Sequence, residues 1–500
     1  MRALMAATYL RALRDALDEL TAGRGSRLSQ ILYAHPEYAA ESIDDFDPSE
    51  VAMDGTVAMP KTLKGTMHLA EHGIEQNRAV RWTREQLNTK YLDRLSLADD
   101  IISGEVGITR AAELREILEK LDLWIASIGG KETRIKRGLG TNNLLYMASE
   151  MLLVGASGED GLPLLLIEEP EAHLHPQMQL LVGDFLREQS ARTTGAARMD
   201  ETPPPLQVVA TTHSPTLASQ VELEQLVVVV GGKAFPLRKG LTGLEPNDYR
   251  FLSKFLDATR ANLFFARGIL IVEGDAENLL LPALARVLDR PLNKHGVSIV
   301  NVGSVGLFRY SRIFVAPDGS ARVPVRVACV TDLDLAHDAP ADDKAKRLKT
   351  RQRNDGGTVR TFVSECETLE YVLATSPFAK DMHLAIALAK KAKNTGRPVT
   401  DAERPALERH AAAEFAELET ACAGDKFALA AHVYRPLDRK EAAKPEAAQY
   451  FAEAILLAKE HRKLDATAAR VQLPRYLVDA IDYVTGMYDR VPDGASTPSR

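Results

Sequence analysis

The chain has 500 residues and 45% apolar content, enough for two to four domains with substantial cores. A formal net charge of -7 excludes a uniformly basic nucleic-acid coat, so contact with nucleic acid must come from local patches. Three scattered cysteines (Cys329, Cys366, Cys422) lack Cys-x-x-Cys spacing, and no apolar run approaches the ~18 residues of a membrane helix, so a structural zinc site and a membrane span are excluded.

From the amino terminus, residues 1 to about 130 read as mostly helical. Leu10, Leu13, Leu17 and Leu20 recur at steps of three and four, an amphipathic stripe. Charges at Arg11, Arg14, Asp15 and Asp18 interrupt any secretory leader, and with the cysteine usage this points to a reducing cytoplasm. Further helical patterns run through about 71–98 and 108–128, the second with Leu114, Ile117, Leu118, Leu121 and Leu123. Pro48, Gly55 and Pro60 punctuate an acidic, loop-like section between them and the first stripe. The expected role of 1–130 is a scaffold or dimerisation surface.

The next stretch carries chemistry. Leu162-Pro163-Leu164-Leu165-Leu166-Ile167 reads as a buried strand ending in Glu168 and Glu169, followed by Pro170-Glu171-Ala172-His173-Leu174-His175. About forty residues on, Gln207-Val208-Val209-Ala210-Thr211-Thr212 is a second strand, ending in His213. This series resembles the Walker B, D-loop and switch-histidine elements of ABC-type ATPases. The resemblance implies that Glu168 helps hold Mg²⁺, Glu169 orients the attacking water and His213 reads the γ-phosphate of ATP. Glu168 stands where the pattern usually has Asp, a variation whose extra methylene still reaches a metal. Upstream, Lys136-Arg137-Gly138-Leu139-Gly140-Thr141 resembles a degenerate ABC signature, in which Gly138 and Gly140 would contact a phosphate across a dimer. No Gly-x-x-x-x-Gly-Lys-[Ser/Thr] loop occurs anywhere in the sequence. Gly23-Arg24-Gly25-Ser26-Arg27 and Gly129-Gly130-Lys131 are glycine-rich but lack the spacing and the preceding strand. The expectation is a partial ATPase domain whose nucleotide-cradling lobe is missing or supplied by a separate polypeptide, with autonomous hydrolysis in doubt.

Gly268-Ile269-Leu270-Ile271-Val272 is a third buried strand, running into Glu273-Gly274-Asp275-Ala276-Glu277 and then a helical pattern. Glu273 is expected at the strand's carboxyl end, where open α/β sheets place ligands, with Gly274 allowing the sharp exit and Glu277 in the first helical turn. Val325 to Val330 repeats the design and ends in Asp332 and Asp334, whose period-two spacing predicts both side chains on one face. Side by side, the two strands would gather four carboxylates at one sheet edge, a set of hard donors for Mg²⁺ or Mn²⁺. This order of elements, with Gly303 between the strands, resembles the Toprim domain of topoisomerases, primases and certain nucleases.

An ABC-type ATPase part followed by a Toprim domain is a narrow combination, and it resembles the OLD-family (overcoming lysogenization defect) nucleases over roughly residues 130–490. That resemblance implies a further acid, matched by Glu370 in Thr368-Leu369-Glu370, and a lysine, matched by Lys444 in Lys444-Pro445-Glu446. It also implies two metal ions about 4 Å apart flanking a scissile phosphate. Glu273, Asp332 and Asp334 would hold one ion and Glu277 and Glu370 the other, while Lys444 neutralises developing charge. Glu273, Asp332 and Lys444 would be the catalytic residues.

Six cations in ten residues, Lys344 to Arg353, follow the Asp-x-Asp strand. A loop holding Lys346, Arg347, Lys349, Arg351 and Arg353 would grip a DNA backbone without reading bases, extended by Lys390, Lys391, Lys393 and Arg397. No zinc-finger spacing or helix-turn-helix pattern argues for base-specific readout. The remainder is Ala-rich and helical, with a disordered tail from 486.

The expected fold class is therefore α/β: a partial ABC-type ATPase domain with helical segments, then a parallel-sheet, Rossmann-like Toprim domain with helical additions. The expected divisions are 1–130, 131–262, 263–375 for the Toprim core, 376–485 and 486–500. The expected function is a metal-dependent DNA endonuclease coupled to an ATPase module, as a homodimer, in phage defence or DNA processing with or without a defence-system partner. The alternative is an ATP-sensing DNA clamp or scaffold without nuclease activity.

Overall fold

The structure, a computed structural model, describes residues 5–11, 23, 26–33, 38–51, 57–92, 103–106, 114–121, 123, 138–156, 162–191, 206–303, 306–461 and 463–486. Leu13, Leu17, Leu20, Gly129 to Lys131, Lys136, Arg137 and the tail beyond Gly486 lie outside them, as do parts of the helical patterns at 71–98 and 108–128. The fold is mixed α/β, with parallel sheets and many helices in two compact units, Met1–His213 and Ser214–Arg500. Among the described residues no helix is long and apolar enough to cross a membrane.

In the first unit, β1 (Met5–Leu10), β2 (Leu162–Glu168) and β3 (Gln207–Thr211) form a parallel sheet in that order. Helical periodicity misplaced Leu10, which ends β1 and pairs with Ile167. Pairing with a mostly apolar strand, whose Leu165 and Ile167 are buried, outweighs a local leucine stripe. A strand therefore does precede Gly23, but twelve residues (11–22) intervene, too many for a phosphate loop that leaves its strand directly. Two amphipathic helices, α1 (Leu63–Glu75) and α2 (Arg78–Leu87), start at Thr62 and Asn77, whose side chains accept from Gly65 N and Ala79 N. The core gathers Leu10, Leu165 and Ile167 with Tyr146 and Met147 of α3 (Leu139–Ala156) and Val182 of α4 (Pro176–Ala191).

The second unit is built on a four-stranded parallel sheet, β6 (Gly268–Val272), β7 (Val297–Asn301), β8 (Arg326–Thr331) and β9 (Val359–Val363), ordered β7-β6-β8-β9. An antiparallel hairpin, β4 (Val227–Val230) and β5 (Lys233–Pro236), turns at Gly231 and Gly232. Their φ values of 56° and 74° are the left-handed pair that a two-residue hairpin favours. Both faces of the four-stranded sheet are covered, which is why its central strands read as unbroken apolar runs.

Alternation divides the side chains between the two faces. Ile269, Ile271, Val327 and Cys329 face a layer that includes Leu237 of the segment after β5, and Tyr249 and Leu252 of α5 (Pro246–Phe255). Residues 214 to 262, grouped by sequence with the ATPase lobe, thus pack within the second unit. Leu270, Val272, Ala328 and Val330 face a larger helical layer. That layer comprises α6 (Asp275–Val287), α8 (Leu369–Ala374), α9 (Ala379–Thr395), α10 (Arg404–Ala421), α11 (Lys426–Asp438), α12 (Lys444–Glu460) and α13 (Arg475–Val484). The basic stretch is a helix, α7 (Ala341–Arg351), not the expected loop. Asp342 and Asp343 in its first turn and Lys349 and Arg351 in its last suit the helix dipole.

Candidate metal and nucleotide sites

Strand register brings the acids of the second unit together. Val272 pairs with Val330, so Glu273 and Thr331 emerge as neighbours, and Thr331 Oγ1 donates to Glu273 Oε1. Gly274 has extended backbone, φ −152°, which any residue adopts. The expected conformational reason for this glycine fails; a Cβ would instead stand 3.2 Å from Glu277 Oε2, so the glycine leaves room for that carboxylate.

The loops after β8 and β9 run beside each other. Ser364 N donates to Thr331 O (3.1 Å), Leu333 N to Ser364 Oγ (2.9 Å) and Asp334 N to Glu367 O (3.1 Å). This pairing delivers Glu370, 3% exposed, whose Oε2 accepts from Thr368 Oγ1 at 2.9 Å and from Lys444 Nζ at 3.0 Å. Helix α12 lies along α6 and runs parallel to it: near its far end Lys459 Nζ donates to Val287 O at 3.0 Å. Both helices therefore begin at the same place, which sets Lys444 near Glu277. Their positive dipole ends face the acids.

Charge and burial act strongly here. The Asp332 carboxyl is pushed up to about 8 by burial, then by Glu370 and Glu277, with Lys444 opposing. Glu277 is raised too, by burial first and then by Glu370 and Glu273. Burial alone would lower Lys444, yet the adjoining Glu370 raises it well above the usual lysine range. Glu273, Glu277, Asp332, Glu370 and Lys444 thus form one electrostatic cluster.

Asp334 does not share the environment of Asp332. Strand β8 ends at Thr331, and Asp334 takes a left-handed conformation, φ 56°, so the period-two expectation fails beyond the strand. Its carboxylate is 46% exposed and accepts from Arg347 Nη2 at 3.0 Å and from Arg351 Nη2. Arg351 Nη1 also lies 3.5 Å from Glu273 Oε1. Two of the five cations expected to hold DNA therefore face the acids, while Lys346, Lys349 and Arg353 are exposed and Arg353 covers the Phe308 ring. In the second basic cluster, Lys390 pairs with Glu441 (2.6 Å), Arg397 with Glu403 (2.8 Å), and Lys393 Nζ donates to Lys440 O.

Four hard carboxylates in mutual repulsion are the donor chemistry that Mg²⁺ or Mn²⁺ selects, so the residues fit a divalent cation. Their side chains do not yet close on one point: among the described residues no three Asp, Glu, His or Cys side chains form a ligand set.

In the first unit, Glu168 pairs with Thr211, and Glu169 N donates to Thr211 O (2.9 Å), which sets both acids beside His213. His213 Nε2 lies 3.6 Å from Glu169 Oε1 with its side chain 83% exposed, and Tyr9 OH donates to Glu168 Oε1 at 2.5 Å. Glu171, not singled out from sequence, ties the two loops together: its Oε1 accepts from Thr212 Oγ1 (2.7 Å) and His213 N (2.8 Å). Gly140 has a packing reason, since a Cβ there would stand 2.4 Å from His173 O; nothing lies within 4 Å of a Cβ at Gly138. His173 itself takes a left-handed turn conformation, φ 62°.

Thr331 and Arg351's contact with the acids also escaped sequence reasoning. Thr331 had one legible signal, its place at the strand end directly before Asp332.

Comparison with known proteins agrees with this architecture. Residues 264–334 match the family described as "Overcoming lysogenization defect protein-like, TOPRIM domain", and residues 10–218 match "AAA ATPase domain". The chain is 31% identical over 151 residues to the uncharacterized protein YbjD of Escherichia coli (strain K12), covering 30% of this chain and 25% of that protein. It is 24% identical over 276 residues to endonuclease GajA of Bacillus cereus (strain HuB5-5), covering 50% and 38% respectively. To the OLD nuclease of Thermus scotoductus (strain ATCC 700910 / SA-01) it is 26% identical over 273 residues, 49% and 46%. The chain thus spans less than half the length of each of these relatives. Among solved structures, the C-terminal region of the Burkholderia pseudomallei OLD protein aligns with a TM-score of 0.28 and 23% identity, covering 45% of this chain and 98% of that one.

Proposed function

We propose that this chain, which joins an AAA-type ATPase domain to an OLD-like Toprim domain, is a DNA endonuclease dependent on Mg²⁺ or Mn²⁺. The observation that carries the reading is the gathering of Glu273, Glu277, Asp332 and Glu370 around Lys444 at the carboxyl edge of a parallel sheet. Its similarity to one protein named an endonuclease and another named a nuclease supports it.

Glu273 and Asp332 would hold one ion, joined by Asp334 once Arg347 and Arg351 release it, and Glu277 and Glu370 the second. Ions bound there would activate a water and stabilise the leaving oxygen of a phosphodiester. Thr331 orients Glu273, and Glu370 holds the Lys444 ammonium beside the place where negative charge develops. Lys346, Lys349 and Arg353 would take backbone phosphates. Arg347 and Arg351 would exchange Asp334 and Glu273 for phosphate as DNA arrives.

In the first unit, Glu168 and Glu169 would serve Mg²⁺–ATP and His213 its γ-phosphate, with Gly138 and Gly140 opening a helix toward the nucleotide of a second copy in a homodimer. Nucleotide state would then set cutting, in phage defence or DNA processing. Residues 263–375 would be the catalytic core, with 214–262, assigned to the ATPase part from sequence, packed within the same unit.

Glu273→Ala and Asp332→Ala are each expected to abolish nicking of supercoiled plasmid in Mn²⁺ while leaving the circular dichroism spectrum unchanged. Undiminished nicking would reject the site. A second reading, an ATP-sensing DNA-binding scaffold without hydrolysis, draws on the absence of a closed ligand set among the described acids. Wild-type protein inert on plasmid with and without metal would favour it.

A further inference from the structure

Helix α13 has a purpose beyond covering the sheet. Its last turn lies at the start of the strands: a Cβ on Gly268, the first residue of β6, would stand 2.6 Å from Val484 O, and Tyr483 OH donates to Thr358 O just before β9. Tyr476 sits eight residues before Val484, about 12 Å along a helix. The five residues of β6 rise about 13 Å from first to last. A helix antiparallel to the strands therefore brings Tyr476 level with the strand ends that carry Glu273 and Asp332. The packing of α13 against β8 and α6 sets the ring on the side of Asp332 and Glu277.

Tyr476 is 7% exposed, and its hydroxyl is buried with no hydrogen-bond partner. Burying a phenol without a partner costs desolvation that no contact returns, so the hydroxyl is left with a donor to offer an arriving acceptor. Burial first, and then the charges of Asp332, Glu277 and Glu370, hold its ionisation well above the usual tyrosine range. It is therefore a neutral donor facing acceptors.

We propose that Tyr476 is a positioning residue of the acid site, its hydroxyl donating to a ligand carboxylate or to cation-bound water once a divalent ion draws the acids together. This rests on the metal-site reading above. No atom of the tyrosine reaches the phosphodiester; it orients the donors that hold the ion.

The test compares the full chain with Tyr476→Phe, which removes only the hydroxyl. Mn²⁺ binding is followed by electron paramagnetic resonance of the free ion, and apo-protein stability by thermal denaturation. The expected result is a Mn²⁺ dissociation constant raised about tenfold, with the apo melting temperature unchanged or slightly higher because an unpartnered polar group is gone. A variant that binds Mn²⁺ as tightly as wild type overturns the inference. So does one whose apo stability falls enough to account for its weaker binding, since that marks a structural role. If wild type itself binds no Mn²⁺, the metal-site reading fails first, and this inference with it.

Discussion

Cation binding at the acid cluster should carry a steep pH dependence, because Asp332 must give up a proton that the fold helps it keep. Its carboxyl is pushed up to about 8 by burial, Glu370 and Glu277, against about 3.9 in an unfolded chain. The folded state thus binds this proton more tightly than the unfolded state does. The stability contribution is full below about pH 4 and is lost as pH rises toward about 8. A divalent ion requires the charged carboxylate, so below about pH 8 each ion held by Asp332 releases one proton. The association constant should climb about tenfold per pH unit well below pH 8, about fiftyfold from pH 6 to 8, and flatten above. Glu277, raised in the same direction, would steepen the lower part of the curve. Isothermal titration with Mg²⁺ in two buffers of different ionisation enthalpy reads the proton count directly: about one per ion at pH 6.5, falling through pH 8. Asp332→Asn should remove that proton release along with most of the binding, and should stabilise the apo protein at pH 8. Wild-type affinity that is flat between pH 6 and 8 would refute the reasoning.

Lys444→Met leaves Glu370, 3% exposed, without its counter-charge and should destabilise the fold by about 2–3 kcal/mol, the lower end for a broken pair because Lys444 is itself 41% exposed. Denaturant unfolding measures the loss, and Lys444→Met with Glu370→Gln should recover most of it. Arg351→Ala removes the cation shared by Asp334 and Glu273 and should strengthen Mn²⁺ binding about three-fold while weakening DNA binding in a gel-shift assay. Weaker Mn²⁺ binding in that variant would show that the arginine supports the acids rather than competing for them.

Sequence carried the strand-and-acid design on its own. Gly268 to Val272 and Arg326 to Thr331 had to be buried strands, because only a sheet covered on both faces shelters such apolar runs, and acids at their ends had to meet at one edge. Local pattern failed where tertiary pairing intervened: Leu10 joined a strand because β2 offered it a buried partner. The lysine- and arginine-rich stretch closed into a helix for a local reason, acids in its first turn and cations in its last. Asp332 and Asp334 shared a spacing but not an environment, since the strand that would have enforced the period stopped one residue before the first of them. Tyr476 could not have been read from the chain at all. It lies more than a hundred residues from the acids in sequence, inside an ordinary amphipathic helix, and only the direction in which that helix crosses the sheet brings its hydroxyl to them.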